Sequence, residues 1–503
     1  MRLCALCGTL FAKDLQNDVI DNYADFAILQ YISSWESEAS AMEKTRTTGQ
    51  NSITEGVIWK QLLRFFFPIL FGSFFQQMYN MVDTIVVGRY VGTTALAAVG
   101  TCGTFTGLLF GFFVALASGA TVIISQHFGS KDAKGVHDAV HTGVAMALAG
   151  GVLITVLGLI LSPFVLDWMN VPEDVQPEAL IYLRIFFAGM IGSMLYNVGS
   201  GILRALGDSK RPMIYLIVCC FINIVLDLAL VLVIPMGVAG VAWATLIAQA
   251  VSAVLVLIAL MRQKDSSRLV WRDVKIHRHM LYDVLRIGVP SGMQSVMYSV
   301  SNIIVQTGVN SLGSTTLAAW TAFGKTDMVV WMVMGAFGTT ITTVVGQNFG
   351  AQKYDRVRKS VRVCMEMTVA STVLLSIFVL TMCRPLLGLF TSDPAVIEVG
   401  QEILYWIGPF YTLYACVEVL AGTMRGCGDS FKPMLITAVG ICLFRALWVP
   451  LVVGRYHTVG MLGLCYPLSW GLTSVLFVVY YLRGNWLKRQ IVARGFEPEI
   501  RNK

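Results

Sequence analysis

Long apolar runs separated by short polar connections make up most of the chain from residue 57 onward. A helix that crosses a membrane needs about 20 consecutive, mainly apolar residues, and twelve runs satisfy this length. They cover residues 57–88, 95–125, 137–163, 178–204, 212–234, 238–261, 282–310, 317–346, 360–383, 399–424, 433–453 and 461–483. The pattern predicts an all-α membrane protein with twelve transmembrane helices.

The polar connections fall into two classes that alternate along the chain. One class, together with the C-terminal tail, is rich in Lys and Arg. The other class carries few basic residues, as in VPEDVQPE at 171–178. Since Lys and Arg are enriched in cytoplasmic loops, the basic side is predicted to be cytoplasmic. Both termini then lie inside the cell, and the chain is a multi-pass protein of the plasma membrane.

The two halves of the chain repeat each other in one constant register. The matching segments are QHFGSKDAKGV (126–136) with QNFGAQKYDRV (347–357), VGTTALAA (91–98) with LGSTTLAA (312–319), and LRALGDSKRPM (203–213) with MRGCGDSFKPM (424–434). The repeated unit contains six helices, an even number, so both copies enter the membrane in the same direction. Such parallel repeats place substrate and ion sites at or near the interface between the halves.

These features divide the chain into five predicted parts. They are a disordered cytoplasmic N-terminal tail (1–55), an N-lobe of helices 1 to 6 (56–261), a basic cytoplasmic linker (262–281), a C-lobe of helices 7 to 12 (282–485) and a cytoplasmic C-terminal tail (486–503). Met42 is an alternative start, because the residues after it lead directly into the first apolar run.

Composition narrows the class of protein further. The chain is 56% hydrophobic and 13% charged, whereas a soluble domain carries about 25% charged residues. The net charge of +7 fits basic cytoplasmic loops better than nucleic-acid binding. We find no Walker A motif, nucleophile elbow or paired His/Glu motif on a helix, so we expect a carrier and not an enzyme. No metal site and no cofactor are expected, apart from a coupling ion, H⁺ or Na⁺.

Polar residues inside the apolar runs are the candidates for the site. Asp83 lies about 7–8 Å below the outer end of the first helix, while Asp227 and Thr245 lie about 12 Å below the same face. Asn80 and Asn223 share helix faces with the two carboxylates. A charge inside a membrane is costly and marks a functional site by default. Two converging carboxylates share a proton or bind Na⁺ with neighbouring oxygens; the alternative is hydrogen bonding between helices alone.

The second lobe does not repeat this site. In the register of the repeat, Asp83 falls near positions 304–305, and Asp227 falls on Trp448. The two lobes therefore carry different polar residues despite their common ancestry, and only the first lobe carries a predicted carboxylate pair.

Other polar residues appear in the second lobe. Glu418, Arg445, Lys325 and Tyr298 are predicted to make polar or substrate contacts there. A Glu418–Arg445 ion pair is one expectation, although helix counting separates the two residues by about 9 Å in depth. Lys325 and Asp327 are two residues apart in a helix and cannot face each other.

Several segments resemble the multidrug and toxic compound extrusion (MATE) family over about residues 56–485. The stretch PILFGSFFQQMYNMVDTIVVGRYVGTTALAAVG is similar to the opening helix of that family, and GQNFGA, LRALGDSKRPM and NIVLDLALVLVIPMGVAGVAWAT are similar to later signatures. The resemblance implies two six-helix lobes that form a V-shaped cleft. It also implies exchange of organic cations and other drugs for Na⁺ or H⁺.

The resemblance also assigns roles to individual residues. A cation site in the first lobe would comprise Asp83, Asn223, Asp227 and Thr245, and Pro68 would bend the first helix. One branch of the family has further acidic residues in the seventh and tenth helices. This chain departs from that branch, because it has Tyr298 and Tyr414 near those places, and the departure argues against a cation site in the second lobe.

The function expected from the sequence is secondary active multidrug efflux by a monomeric antiporter. Its expected partners are small organic cations or other drugs and the lipid bilayer, without nucleic acid. On this hypothesis, loading Asp83 with a cation neutralises the pocket, bends or rotates the first helix and lowers the affinity for drug. The alternatives are a lipid-linked oligosaccharide flippase of the same superfamily and a receptor or scaffold without transport.

Overall fold

The computed structural model describes residues 53–169, 171–483 and 485–493. Its contacts divide the chain into Met1–Gly56 and Val57–Lys503. Of the first unit only residues 53–56, a turn, are described, so the predicted disorder of residues 1–55 falls almost wholly outside the described residues. The second unit contains all of the apolar runs.

The first lobe consists of six helical rods. They are α1 (Ile58–Val86, continued as a π-helix over Val87–Val91), α2 (Thr93–Gly129), α3 (Ala133–Trp168), α4 (Gln176–Ala188 followed by Met190–Ala205), α5 (Lys210–Leu228, continued as a π-helix over Ala229–Val233) and α6 (Val238–Met261). Two 3-10 turns, Asp265–Ser267 and Trp271–Asp273, lie in the linker that follows.

The second lobe repeats this order. Its rods are α7 (Arg278–Ser311), α8 (Ser314–Gly350), α9 (Tyr354–Thr381), α10 (Pro394–Ile407, a 3-10 turn at Gly408–Phe410, then Tyr411–Gly426), α11 (Phe431–Thr437, a π-helix at Ala438–Leu443, Phe444–Trp448, a π-helix at Val449–Val453, then Gly454–Tyr456) and α12 (Val459–Arg483). A short helix, Cys383–Gly388, precedes α10, and helix α13 (Trp486–Ala493) follows α12.

Length and composition support the prediction of a polytopic membrane protein. Within the described residues, ten helices are long and apolar enough to cross a membrane, and α4 adds an eleventh if its two parts, bent by 43°, form one span. The twelfth rod, α7, has 34 residues but is more polar. Its Ser, Gln and Asn side chains lower its hydropathy, so it does not meet the criterion for a membrane span. Helix α7 packs against α2 of the other lobe.

The two lobes are joined at the helix ends next to the basic connections, here called the basic end. The Gln126 side-chain amide, in the last turn of α2, donates a hydrogen bond to the Gly426 carbonyl at 2.8 Å. Its counterpart in the repeat, Gln347 in α8, donates to the Ala205 carbonyl at 2.6 Å. Donors and acceptors of the two bonds correspond to each other in the register of the sequence repeat, so the duplication supplies a symmetric clasp between the lobes.

Two glycines allow α2 and α8 to approach within this clasp. A Cβ atom on Gly129 would lie 2.0 Å from the carbonyl oxygen of Gln347, and one on Gly350 would lie 1.9 Å from the carbonyl oxygen of Gln126. No side chain fits at either position while the helices hold this distance. Close backbone approach through small residues is a common way for membrane helices to pack.

Packing is looser toward the opposite end of the seam. A Cβ atom on Gly100, Gly103 or Gly107 of α2 would meet no described heavy atom within 4 Å, and the same holds for Gly324 of α8. The lobes thus approach most closely at the basic end, while α2 and α8 have less closely packed surface toward the other end.

Candidate functional site

Asp83 lies deeper in the first lobe than the sequence indicated. The α1 rod does not end at Gly88 but continues as a π-helix to Val91. Eight residues of helix therefore follow Asp83, which places its carboxylate about 12 Å below the outer end. The predicted depth of about 7–8 Å was too shallow because the extra turn was not recognised. Asp83 is now level with the depth predicted for Asp227 and Thr245.

The second carboxylate helix shows the same local feature. Asn223 and Asp227 lie in α5, and a π-helix over Ala229–Val233 begins two residues after Asp227. A π-turn inserts an extra residue into a helix and occurs frequently at functional sites. Both carboxylates thus precede a π-turn by a few residues, and the two π-turns contact each other.

The structure brings four of the predicted site residues together from three helices. The Thr245 hydroxyl of α6 donates to Asp83 Oδ2 at 3.1 Å. The Asn223 side-chain amide donates to the Thr245 hydroxyl oxygen at 3.4 Å. The carboxyl groups of Asp83 and Asp227 lie close enough to interact with each other. We call Asp83, Asn223, Asp227 and Thr245 the carboxylate cluster.

Burial makes the ionised form of this cluster unfavourable. Asn223 and Asp227 are fully buried, and Asp83 is 8% exposed. Within the described residues, no donor bonds to Asp83 Oδ1, to Asn223 Oδ1 or to either oxygen of Asp227. A buried carboxylate without a partner costs several kcal/mol, and two adjacent ones repel each other. The cluster is therefore suited to hold a proton or a hard cation, which prefers oxygen ligands.

The space around the cluster differs on its two sides. Toward the outer end, apolar side chains pack above it and exclude water; they are Val86, Val87, Ala95, Val231, Val238 and Val241. Between α4 and α6, a cavity of about 10 Å³ borders Thr245 and is lined by Tyr182 and Gln249, among others. This volume accommodates a single water-sized species.

Tyr182 and Gln249 were missed by the sequence reasoning. Both are uncharged, and neither belongs to a repeated segment. Gln249 carried one usable signal, because it follows Thr245 by four residues and so lies on the same face of α6. Tyr182 carried none, since its position depends on how α4 packs against α6.

Asn80 does not join the carboxylate cluster. Its side chain is exposed and donates to Gln77 Oε1 at 3.2 Å on the same helix. Residues three apart in a helix differ by about 60° in direction, and here that difference turns Asn80 out of the packed interior. The structure does not bring Asn80 into the carboxylate cluster, and its contribution to ion coupling stays a prediction.

Pro68 lies inside α1, fifteen residues before Asp83, and is buried. The helix continues through it from Ile58 to Val86. Proline removes one backbone hydrogen bond and crowds the preceding turn. The backbone hydrogen bonding of α1 between the cluster and the basic end is therefore weakest at Pro68. Bending of α1 at Pro68 remains a prediction.

The second lobe has an apolar cluster where the first lobe has its carboxylates. At the offset of 222 that aligns Pro68 with Pro290, Asp83 corresponds to Val305; at the offset of 221 of the other repeats, Asp227 corresponds to Trp448, next to Val449. Both valines are buried. They pack together with Val309, Val453 and Leu462. Apolar packing thus takes the place in the second lobe that the carboxylates occupy in the first.

Glu418 and Arg445 do not pair with each other, contrary to the expected ion pair. Glu418 Oε1 lies 3.4 Å from Arg425 Nη2, two turns further along its own helix. Arg445 is 2% exposed and donates to Asn302 Oδ1 and Ser469 Oγ, both at 3.3 Å. Its guanidinium also lies 4.0 Å from the ring centre of Tyr466, a favourable cation–π geometry. The predicted separation in depth of about 9 Å explains why the pair does not form.

The remaining second-lobe candidates separate into exposed and buried groups. Lys325 is exposed, whereas Asp327 is buried and accepts a short hydrogen bond from the Trp331 indole. The Tyr298 and Tyr414 hydroxyls lie 3.2 Å apart. Each tyrosine hydroxyl therefore has the other as its hydrogen-bond partner. Asp327 is a buried carboxylate without a second carboxylate beside it among the described residues.

Three potential metal ligands lie together outside the cluster, although the sequence analysis recognised no metal-ligand spacing. His137 and His141 are one turn apart on α3, and their ligand atoms and those of Asp273 all lie within 4.8 Å of one another. However, His141 Nδ1 donates to the His137 carbonyl at 2.7 Å, and its Nε2 accepts from the Val270 N–H at 3.0 Å. Both nitrogens of His141 are thus engaged in attaching the linker to α3.

Comparison with known proteins is consistent with this architecture. The model of the MatE family matches residues 68–229 and 290–451, once in each lobe. The chain is 28% identical over 445 residues to the "Probable multidrug resistance protein YoeA" of Bacillus subtilis, covering 86% of this chain and 95% of that protein. It is 27% identical over 455 residues to the "Probable multidrug resistance protein NorM" of Thermotoga maritima, covering 88% and 96% respectively.

Solved structures share the fold. One described as an outward-facing conformation of a multidrug resistance MATE family transporter superimposes with a TM-score of 0.80 at 24% identity, covering 88% of this chain and 99% of that chain. A transporter of the MOP superfamily from Pyrococcus furiosus, described as having a binding pocket of reverse polarity, gives a TM-score of 0.80 at 23% identity, covering 90% and 99%.

Proposed function

Because the chain belongs to the MatE family of membrane transporters, we propose that it is a secondary active multidrug antiporter. It would export organic cations or other amphipathic drugs in exchange for H⁺ or Na⁺ across the plasma membrane. The observation that carries this proposal is the carboxylate cluster, in which Asp83 Oδ1, Asn223 Oδ1 and both carboxylate oxygens of Asp227 are buried without a donor among the described residues. Relatives named as multidrug resistance proteins support the class of cargo.

The cluster is proposed to act as a switch with two states. When it holds H⁺ or Na⁺, the bound cation offsets the repulsion between Asp83 and Asp227, and the three helices pack closely. When the cation leaves, two adjacent carboxylates in a water-poor site repel each other, so the helices must rearrange or admit a cationic drug nearby. Ion and drug then exclude each other through the position of α1.

Helix α1 is suited to carry this change to the seam between the lobes. Asp83 lies near one end of the rod, and Phe66 lies seventeen residues earlier, about 25 Å away along the axis. The Phe66 ring stacks on Phe337 of α8, with ring centres 4.1 Å apart. Pro68 lies between Phe66 and Asp83. A bend or rotation of α1 at Pro68 would therefore disturb a direct contact between the lobes.

The proposed direction of transport follows from charge and packing. The basic end is assigned to the cytoplasm because Lys and Arg concentrate there, which places both termini inside the cell. In this structure the lobes are clasped at that end by Gln126 and Gln347. We therefore propose that this conformation is an outward-facing state, in which ions would enter from outside and drug would leave. We propose that a single chain carries out the cycle as rocking of one lobe against the other.

The test is ethidium flux in vesicles that contain the purified protein, with a Na⁺ gradient and a pH gradient imposed separately. We expect flux with one of the two gradients, and that gradient names the coupling ion. Absence of flux under both gradients, from protein that is inserted and folded, would contradict drug antiport. That result would favour the flippase alternative.

Replacing Thr245 by valine should weaken ion binding without abolishing transport. The substitution keeps the shape of the side chain but removes the hydroxyl that bonds to Asp83 and Asn223. A hydrogen bond of this kind contributes about 0.5–1.5 kcal/mol, so the half-saturating concentration of the coupling ion should rise roughly 2- to 13-fold. The measurement is ethidium flux as a function of ion concentration.

The matched control is Thr321→Val. Thr321 is an exposed threonine of α8 whose hydroxyl bonds to the Leu317 carbonyl of its own helix at 2.9 Å. This variant should keep the ion dependence of the wild type. Equal ion dependence of the Thr245 variant and the wild type would remove Thr245 from the proposed coupling site.

A further inference from the structure

A second cavity lies at the basic end of the C-lobe, far from the carboxylate cluster in sequence and unused by the proposed transport cycle. Its volume is about 670 Å³, within the range of small-molecule sites. It is bounded by α9 and α12, with α10 behind them and the first turn of α13 across its mouth. The cavity therefore opens where transmembrane helices emerge from the apolar layer.

The charges around this cavity favour an anion. Arg358, Arg362 and Lys488 line it and are exposed, whereas Glu366 is the one carboxylate among its lining residues. Three cations and one carboxylate give the lining a net charge of +2. Arg358 lies 3.6 Å from Asp355, so Arg362 and Lys488 are the stronger candidates for binding a ligand.

The deeper wall of the same cavity is apolar. Met365 lies on α9 seven residues beyond Arg358, or about 10 Å further into the membrane. Leu420 of α10 and Val478 of α12 complete this wall, and Leu482 lies nearer the mouth, one residue before the end of α12. Leu482 is 73% exposed, and Val478 is 38% exposed. The cavity thus changes from cationic at its mouth to apolar along the membrane-facing side, which matches an amphiphile with an anionic head.

The sequence repeat shows what fills the corresponding groove in the N-lobe. In the register of the repeat, Arg358 and Arg362 correspond to His137 and His141 on α3. There the linker itself covers the groove: Leu269 is 2% exposed and donates to the Leu260 carbonyl at 3.1 Å, and the Val270 N–H bonds to His141. The N-lobe fills this groove with its own apolar side chain.

In the C-lobe the same groove is left open beneath α13. Trp486 is buried and stacks on Tyr481, with ring centres 5.3 Å apart, which fixes the first turn of α13 over the mouth. The remaining space is still about 670 Å³. Leu487 of α13 also lines the cavity and is 6% exposed, so the segment after α12 fills this groove only in part.

We propose that this cavity binds an anionic phospholipid of the cytoplasmic leaflet. The phosphate would contact Arg362 and Lys488, and the acyl chains would pass Leu482 and follow the apolar wall formed by Met365, Leu420 and Val478. Basic pockets between transmembrane helices on the cytoplasmic side are suited to such headgroups. The inference uses the cytoplasmic orientation of the basic end proposed above, but it does not depend on antiport.

The experiment is binding of fluorescent phosphatidylglycerol to the purified full-length protein in neutral detergent. We expect one lipid per protein and binding at least about tenfold tighter than that of phosphatidylcholine with the same label. The double variant Arg362→Gln/Lys488→Gln should lose this preference for phosphatidylglycerol, because both headgroup contacts are removed. Both residues are exposed, so the variant should elute as wild type in size-exclusion chromatography.

The matched control is Arg272→Gln/Lys275→Gln, which removes the same charge from exposed positions of the linker. It should retain the preference. Three results would overturn the proposal: equal binding of the two lipids, equal loss of binding in both double variants, or full displacement of phosphatidylglycerol by millimolar inorganic phosphate. The last result would indicate a site for free anions. None of these readouts involves drug flux, so failure here and failure of the antiport proposal remain distinguishable.

Discussion

Asp83→Asn is expected to abolish ion-driven efflux while leaving the protein folded. The amide keeps the size and the hydrogen-bonding capacity toward the Thr245 hydroxyl. However, it removes one of the two charges whose repulsion is proposed to drive the switch. The cluster would then change little between its loaded and empty states, and a ligand with equal affinity for two conformations shifts neither of them.

The expected loss is at least about tenfold in the initial rate of gradient-driven ethidium flux. Coupling between two sites typically amounts to roughly a 5- to 150-fold change in affinity, and Asp83→Asn is expected to remove most of it. The purified variant should still bind ethidium, because we propose that the drug also makes contacts that do not involve the ionised pair. Measuring flux and binding on the same preparation separates loss of coupling from loss of the drug site.

Asp327→Asn provides the matched control. Asp327 and Asp83 are each 8% exposed, and both accept a hydrogen bond from a neighbouring side chain. Asp327, by contrast, has no second carboxylate beside it in the described part of the chain. Its variant should retain flux within about threefold of the wild type. If the two variants lose flux equally, the effect comes from buried carboxylates in general, and the cluster has no special role.

The composition of the cluster was predictable from the sequence, but its boundaries were not. Asp83 and Asp227 stand out because carboxylates inside apolar runs need a reason, and Thr245 and Asn223 followed from depth and helix faces. Asn80 does not lie with these four residues, since two positions three apart on a helix still differ by about 60° in direction. Gln249 was overlooked because an uncharged side chain gives no such signal.

The fold was predictable for a related reason. Twelve apolar runs and a repeat of constant register determine the helix count and the parallel arrangement of the lobes. The π-turns were not predictable, because no residue type signals an inserted residue, and they shifted the depth of Asp83. The ion-pair partner of Glu418 was not predictable either. Helix counting gave a difference in depth between Glu418 and Arg445 but did not exclude the pair, whereas the structure pairs Glu418 with Arg425.

The largest expected effect outside the cluster concerns the clasp between the lobes. In Gly129→Ala, the added Cβ atom would lie 2.0 Å from the Gln347 carbonyl oxygen, about half the distance of an ordinary carbon contact. The opposing atom belongs to the backbone and cannot rotate away. Helices α2 and α8 would have to separate at the basic end, so the closed, outward-facing state should become less stable.

This destabilisation should slow the transport cycle by about tenfold or more, because the conformation that releases drug and admits ions is populated less. Spin labels on Ser130 and Gln352, two exposed residues just beyond the clasp, report the separation directly by electron–electron resonance. We expect their distance distribution to shift to longer values in Gly129→Ala, and flux to fall in parallel.

Gly103→Ala tests whether the effect comes from the close approach. It makes the same substitution in the same helix, where the new Cβ atom meets no described heavy atom within 4 Å. Both variants gain the same helix propensity, up to about 1 kcal/mol per glycine replaced, so that term cancels in the comparison. Gly103→Ala should keep the wild-type distance and flux. If Gly129→Ala also keeps both, α2 and α8 do not need this approach, and the symmetric clasp is not the closed cytoplasmic gate of the cycle.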